Sequence, residues 1–339
     1  MKTKRMGRTG LKVSEICLGT MTFGKQCDEA TSFAIMDAAF EAGVDFFDTA
    51  DVYPAAGELE KSGRTEQTVG TWLTQRKRRN QIVIATKCWG PMGSSPNDRG
   101  LSRKHIFAAV EASLRRLQTD YLDLYYAHAP DPDTPIDETL RAFDDLVRQG
   151  KVRYVGCSNF QAWVIATALG ICDKQNLARF DFIQPRYNIL FREIENEILP
   201  LCRHQEIGVF PYNPIAGGFL SGKYQFNADP GANTRFDLAR NSKIWGVYHK
   251  RYWQEAQFAA VTHLQDFFSA RNKPLVQVAI AWVLAQPGIT STILGATSAE
   301  QLHQALPATD LTLENDEIEV CDEVWFNLPR QKDPTIALR

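Results

Sequence analysis

Residues 82–87 read IVIATK, residues 102–117 read SRKHIFAAVEASLRRL, and residues 122–128 read LDLYYAH. The first and last are short apolar runs of strand length, rich in β-branched and aromatic side chains. The middle segment repeats its apolar residues (Ile106, Ala109, Val110, Leu114, Leu117) at three- and four-residue spacing, the signature of an amphipathic helix. Ser102 stands where a side chain would cap its first turn. Strand, helix, strand in this order is a crossover between parallel strands.

The same unit recurs in both directions along the chain. Strands are expected over 16–18, 46–49, 82–86, 122–127, 152–157, 182–184, 208–211 and 292–294. Helical periodicity covers 31–42, 66–75, 103–117, 139–148, 162–169 and 193–202, among others. Gly43, Gly150 and Gly208 follow helix ends, and the basic run Arg76-Lys77-Arg78-Arg79 falls where a helix dipole favours cations. Eight β-then-α units imply a parallel sheet with helical crossovers. A doubly wound open sheet would satisfy the same alternation. The count of eight, and the lack of a GxGxxG turn after an early strand, favour a closed (β/α)8 TIM barrel instead.

Residues 1–339 therefore read as one barrel domain, preceded by an N-terminal β-hairpin, since 1–19 lacks the apolar core of a leader peptide. Two loops, 53–63 and 217–246, are long for strand-to-helix connections, and both follow strands on the C-terminal face, where long loops are usually functional. The second includes Pro230, Gly231, Asn233, Phe236 and Trp245. A tail from Asp310 carries a helix over 314–326 and then Pro329 and Pro334, placed to fold across a barrel mouth.

Composition narrows the function. Lys and Arg number 38 against 40 Asp and Glu, a net charge of −2, without the basic footprint of a nucleic-acid binder. Seven cysteines without a CxxC pair argue against a disulfide framework or a structural zinc, and fit a reducing compartment. No run of about 18 apolar residues suggests a membrane span. A cytoplasmic protein without a metal site is the expectation.

A barrel displays its chemistry at the C-terminal ends of its strands. There the sequence places Asp48 with Tyr53 a few residues beyond, Lys87, His128, Ser158-Asn159, Gln184, Tyr212-Asn213 and Gly295-Ala296-Thr297. Period-two alternation puts Asp48 on the face of Phe46, Lys87 on that of Ala85 and His128 on that of Tyr126, the face that looks into a lumen. Separately, each has a bland reading as a turn cap, a solvated charge, a core imidazole or a packing ring. Together they suit one task. A tyrosine titrates near ~10, too high for an efficient acid at neutral pH. An ammonium at ~4 Å is worth about 4 kcal/mol at an effective dielectric of ~20, so Lys87 is expected to lower the Tyr53 pKa. Asp48 can keep Lys87 charged, and His128 can orient a substrate oxygen. Such a set stabilises and then protonates a developing alkoxide, the chemistry of carbonyl reduction, for which a nicotinamide cofactor would supply the hydride.

The stretch Gly43-Val44-Asp45-Phe46-Phe47-Asp48-Thr49-Ala50 with Tyr53 resembles the signature of the aldo-keto reductase superfamily. Ile84-Ala85-Thr86-Lys87 resembles its lysine strand, and Tyr121 to Tyr125 through His128 and Pro130 its histidine strand. Gly156-Cys157-Ser158-Asn159-Phe160 is similar to the segment that follows, so the likeness spans nearly the whole chain. The resemblance implies Tyr53 as general acid, Lys87 and Asp48 as its tuning pair and His128 as orienting donor. It implies Ser158, Asn159 and Gln184 around the nicotinamide carboxamide and Tyr212 beneath the ring. Thr20 and Met21 join the cofactor set. The segment from Asn213, Pro214 and Ile215 through Gly217 to Tyr224 is similar to the pyrophosphate-wrapping loop of the bacterial and potassium-channel-β-like branches, with Lys223 and Arg235 meeting phosphate. Gly295, Thr297 and Gln301 match the adenosine end.

One departure concerns the nucleotide. Many relatives carry Lys or Arg just after the last strand's glycine, where this chain has Ala296, and Gln304-Ala305 replaces the usual Glu-Asn pair. NADPH is the expected cofactor, with NADH possible, and the expected partner is a small carbonyl compound bounded by Phe23, Trp89, the two long loops and the tail. Two rival readings share the fold: a cofactor-loaded regulatory subunit with little turnover, and a Schiff-base aldolase using Lys87.

Overall fold

Each apolar strand has two faces to cover, and a ring of parallel strands inside a ring of helices covers both. The structure, a computed structural model describing residues 1–54, 59–232, 234–240 and 246–330, adopts this solution. A hairpin of β1 (Thr3–Arg5) and β2 (Lys12–Ser14) comes first. The barrel strands are β3 (Ile16–Gly19), β4 (Phe46–Asp48), β5 (Val83–Cys88) and β6 (Leu122–Ala127), then β7 (Val152–Ser158), β8 (Phe180–Gln184), β9 (Gly208–Val209) and β10 (Thr292–Gly295). They pair in parallel in the order β10-β3-β4-β5-β6-β7-β8-β9. Parallel bridges Val209–Ile289 and Tyr212–Ile293 join the two ends, and the Ile293 N–H donates to the Pro211 carbonyl at 2.8 Å. The ring closes, which excludes the open doubly wound sheet.

Around it run α1 (Glu29–Glu41), α2 (Arg64–Arg76), α3 (Arg103–Leu117), α4 (Ile136–Arg148), α5 (Ala162–Gln175) and α6 (Ile198–His204). Between β9 and β10 lie α7 (Arg235–Arg240), α8 (Gly246–Tyr252), α9 (Glu255–Ser269) and α10 (Leu275–Ala285), and after β10 come α11 (Ala299–Ala305) and α12 (Asn315–Asn327). The Ser102 hydroxyl accepts from the His105 N–H at the start of α3, as its sequence position implied. Asn233, Trp245, Pro334 and residues 55–58 of the first long loop lie outside the described residues.

The lumen is filled by side chains. Cys17, Phe46, Ala85, Leu124, Tyr126, Phe182, Phe210 and Ile293 form one buried cluster, with Met6 and Val13 of the hairpin packed into it from below. The hairpin thus plugs the N-terminal mouth. Gly156 shows how tightly the lumen is filled: a Cβ there would lie 2.3 Å from the Phe182 ring, so only glycine leaves that ring its place.

Two expectations need correction. The 193–202 helix is a 3-10 turn over Glu193–Glu195 followed separately by α6. A continuous helix would drive the Pro200 ring against the Asn196 carbonyl, whereas the first turn of a new helix tolerates proline. Gly208 is not the residue that ends α6. Glu206 takes the left-handed position at φ +51°, and Gly208 begins β9, where a Cβ would meet Met6 at 2.7 Å.

Where α2 crosses α3, a Cβ on Gly70 would lie 2.3 Å from the Arg116 carbonyl oxygen and 2.7 Å from Leu117 Cα. Alanine is favoured over glycine in a helix by about 1 kcal/mol, but backbone atoms cannot move aside cheaply. Gly70→Ala is therefore expected to destabilise the protein by about 1–3 kcal/mol in urea denaturation. A raised midpoint would mean that the crossing is looser than this geometry.

Candidate active site

The strand ends converge on Asp48. Lys87, fully buried on β5, places its ammonium 2.6 Å from Asp48 Oδ2 and donates to the Thr49 carbonyl at 2.7 Å. Gln184, at the end of β8, donates to Asp48 Oδ1 at 2.8 Å. From the end of β3, Thr20 donates through its hydroxyl (2.8 Å) and its N–H (3.0 Å) to the Asp48 carbonyl. Burial disfavours the Lys87 ammonium, but Asp48 first and then Tyr53 outweigh it and hold its pKa above the ordinary lysine value.

Tyr53 stands over this pair. The Lys87 ammonium is 4.9 Å from the centre of the Tyr53 ring, and the His128 ring meets the same ring edge-on at 5.8 Å. The Tyr53 pKa runs opposite to the sequence expectation. Burial pushes it up to about 12, and the opposing effect of Lys87 is the smaller of the two. The phenol is thus fully protonated at neutral pH. Burial, reinforced by Lys87, pushes His128 well below the usual imidazole range, so its ring is neutral there.

A second set of contacts surrounds Asn159, which sits at φ +63°. Its amide nitrogen donates to the His128 carbonyl and to Ser158 Oγ, both at 3.0 Å, and its Oδ1 accepts from Tyr212 Oη at 2.9 Å. Ser158 Oγ donates in turn to the Gln184 carbonyl at 2.8 Å. Farther along the same rim the chain turns through Asn213, the buried Pro214, Ile215 and Gly217. Arg235 donates to Tyr248 Oη at 2.9 Å beside Gly217, and Lys223 lies over the ring of its neighbour Tyr224 at 5.0 Å. At the far end Gln301 Oε1 accepts from the Thr297 N–H at 3.0 Å and hydroxyl at 2.9 Å, just after the exposed Gly295. Met21 follows Thr20, half-buried. Among the described residues no cluster of three or more His, Cys, Asp or Glu could hold a metal ion. All seven cysteines are buried and unpaired.

Phe23 departs from its expected place as a pocket wall. It is fully buried, with its carbonyl accepting the Thr65 hydroxyl, whereas Trp89 is half-buried. Sequence reading also missed the Thr49 carbonyl, a backbone group that no side-chain motif reports. It missed Asn188, whose amide donates to the Asn213 carbonyl at 3.0 Å, and the Tyr248 and Tyr252 hydroxyls that accept from Arg235 and Asn213. The only signal available for the tyrosines was their four-residue spacing, which places both on one helix face.

Comparison with known proteins gives the family. The chain belongs to the aldo/keto reductase family, whose model matches residues 15–325. It is 38% identical over 332 residues, 96% of each chain, to an uncharacterized oxidoreductase of Bacillus subtilis. It is also 38% identical over 321 residues, 92% of each chain, to a protein of Arabidopsis thaliana named "Probable voltage-gated potassium channel subunit beta". Norsolorinic acid reductase A of Aspergillus parasiticus is 30% identical over 327 residues, 93% of this chain and 78% of its own. The chain is an oxidoreductase of a family that works with NAD(P)H. No helix among the described residues is long and apolar enough to cross a membrane.

Removing one partner of a buried ion pair strands the other charge, at a cost of about 3–5 kcal/mol. Asp48→Asn is expected to lose that much in urea denaturation at neutral pH. Adding Lys87→Met to it should recover part of the loss. Simple additivity of the two substitutions would show that the pair is not coupled.

Proposed function

We propose that the protein reduces small aldehydes and ketones to alcohols, with NADPH as the preferred nucleotide and Tyr53 as the general acid. The observation that carries this reading is that the Lys87 ammonium, 4.9 Å away, and the His128 ring, 5.8 Å away, both lie against the Tyr53 ring. When bound, the nicotinamide would supply the hydride. The residues suit such a group. Gly217 and Gly218, at φ +71° and +93°, add no Cβ to the loop, and Gly217 lies beside the Arg235 side chain, an arrangement of bare backbone and a cation that suits a phosphate.

Ser158, Asn159 and Gln184 would hold the carboxamide, and Tyr212, fixed by its bond to Asn159, would support the ring. Lys223 and Arg235 would take phosphate, while Gly295, Thr297 and Gln301 would take the adenosine end. His128, being neutral, donates a hydrogen bond to the substrate's carbonyl oxygen and turns it toward Tyr53. The Tyr53 phenol gives up its proton as negative charge develops on that oxygen. Lys87 stabilises the phenolate left behind, and Asp48 keeps the ammonium charged and aimed.

The fungal relative is named a reductase, which supports assaying the reductive direction first. The Lys87–Asp48 distance of 2.6 Å counts against a Schiff-base aldolase, because a paired ammonium is a poor nucleophile. The presence of Tyr53 and His128 beside that pair counts against a purely regulatory subunit.

Tyr53→Phe is expected to lower turnover of an aromatic aldehyde by about 10²–10⁴-fold while leaving NADPH binding intact. The assay follows loss of the reduced nicotinamide's absorbance, with NADH run in parallel to rank the two nucleotides. Undiminished turnover in Tyr53→Phe would remove Tyr53 from the chemistry. Wild-type protein that bound neither nucleotide would sink the reading altogether.

A further inference from the structure

The loop after β9 has an unusual backbone. Of the six residues from Asn213 to Gly218, four have left-handed conformations: Asn213 at φ +70°, Ala216 at +52°, Gly217 at +71° and Gly218 at +93°. Glycine adopts this region freely, but asparagine and especially alanine do so only where their surroundings over-determine it. The question is what holds Asn213 and Ala216 there.

The constraint comes from two distant segments. Asn188, fully buried beyond β8, donates through Nδ2 to the Asn213 carbonyl at 3.0 Å and to Tyr252 Oη at 3.0 Å. Its Oδ1 accepts from the Leu190 N–H at 3.0 Å, which fixes the orientation of the amide. Asn213 Nδ2 donates to the same Tyr252 Oη at 2.9 Å. Tyr252, 1% exposed at the end of α8, therefore receives an amide from each side. One turn earlier on that helix face, the Tyr248 ring lies where a Cβ on Gly217 would come within 2.9 Å. Helix α8 thus touches the loop at both of its ends.

We propose that Tyr252 is a positioning residue for cofactor capture, presetting the 213–218 loop through its junction with Asn188 and Asn213. The proposal rests on the nucleotide-dependent reading above, in which this loop faces the dinucleotide's phosphates. A loop ordered before binding loses less conformational freedom when it binds. Tyr252 bonds to Asn188 and Asn213 rather than to the centre at Asp48, Tyr53, Lys87 and His128. Its loss should therefore fall on nucleotide affinity and not on the chemical step.

The test uses the full-length protein. NADPH is titrated against intrinsic fluorescence, and steady-state kinetics with an aromatic aldehyde separate KM for the nucleotide from kcat. Tyr252→Phe, which removes both hydrogen bonds at the junction, is expected to raise the dissociation constant and this KM about tenfold, with a much smaller fall in kcat. Asn188→Leu should do the same. The two substitutions together should cost little more than either alone, because they break one junction. Asn188→Leu carries the same test should Tyr252→Phe fail to fold, judged by thermal unfolding. Unchanged nucleotide affinity in both variants, or a fall in kcat with affinity intact, would overturn the proposal. Wild-type protein that binds no nucleotide would instead overturn the reading beneath it, so the two failures are told apart.

Discussion

The structure turns on a buried charge. Taking an ammonium out of water costs several kcal/mol unless good partners meet it, and Lys87 is fully buried. Its partners come from separate strands. Asp48 and Thr49 belong to the end of β4, Gln184 from β8 holds the far carboxylate oxygen, and Thr20 from β3 holds the Asp48 backbone. The polar contacts that make the ammonium tolerable therefore tie β3, β4, β5 and β8 together at one rim. The cohesion of that rim and the site's electrostatics share the same atoms, so a change to one disturbs the other.

That arrangement changes how Tyr53 is understood. The sequence suggested an ammonium that lowers the tyrosine's pKa in the resting protein. In the structure burial dominates, and the phenol is pushed up to about 12. A protonated phenol is what a proton donor needs before reaction. On the proposed reading Lys87 contributes chiefly when charge appears, by stabilising the phenolate as it forms. An interaction that strengthens in the transition state accelerates a reaction, whereas one felt equally beforehand does not.

Legibility in the sequence followed the range of the interactions involved. Helix 103–117 and strand 122–127 were read at their observed bounds, because periodicity and the Ser102 cap are local. Asp48, Lys87, His128 and Ser158 were legible because barrel geometry converts strand ends into one rim. The 193–202 segment failed through Pro200, whose clash reaches four residues back. Gly208 was read correctly as the start of a strand, but its helix-end role failed because the space at its Cα is taken by Met6, some two hundred residues away in the chain. Phe23 was misplaced because aromatic character does not distinguish a pocket wall from packing. The Tyr53 pKa failed because the depth of burial is a tertiary quantity.

The plug at the other end of the barrel explains why so much lies at one rim. Met6 and Val13 of the hairpin enter the lumen cluster from the N-terminal mouth, and Phe46, Tyr126, Phe182 and Phe210 fill its middle. With one mouth blocked and the lumen packed, polar chemistry is accommodated only above the last apolar layer. There the strands hand over to loops, which must then be held by something other than the sheet. Asn159 at φ +63° and Asn213 at φ +70° are both fixed by tyrosine hydroxyls, Tyr212 in one case and Tyr252 in the other. A phenol suits that task, since its ring is anchored in apolar packing while its oxygen reaches an amide at the rim. The barrel thus supplies rigidity up to the level of Asp48, and the half-buried Tyr212 and buried Tyr252 extend that order into the loops above it.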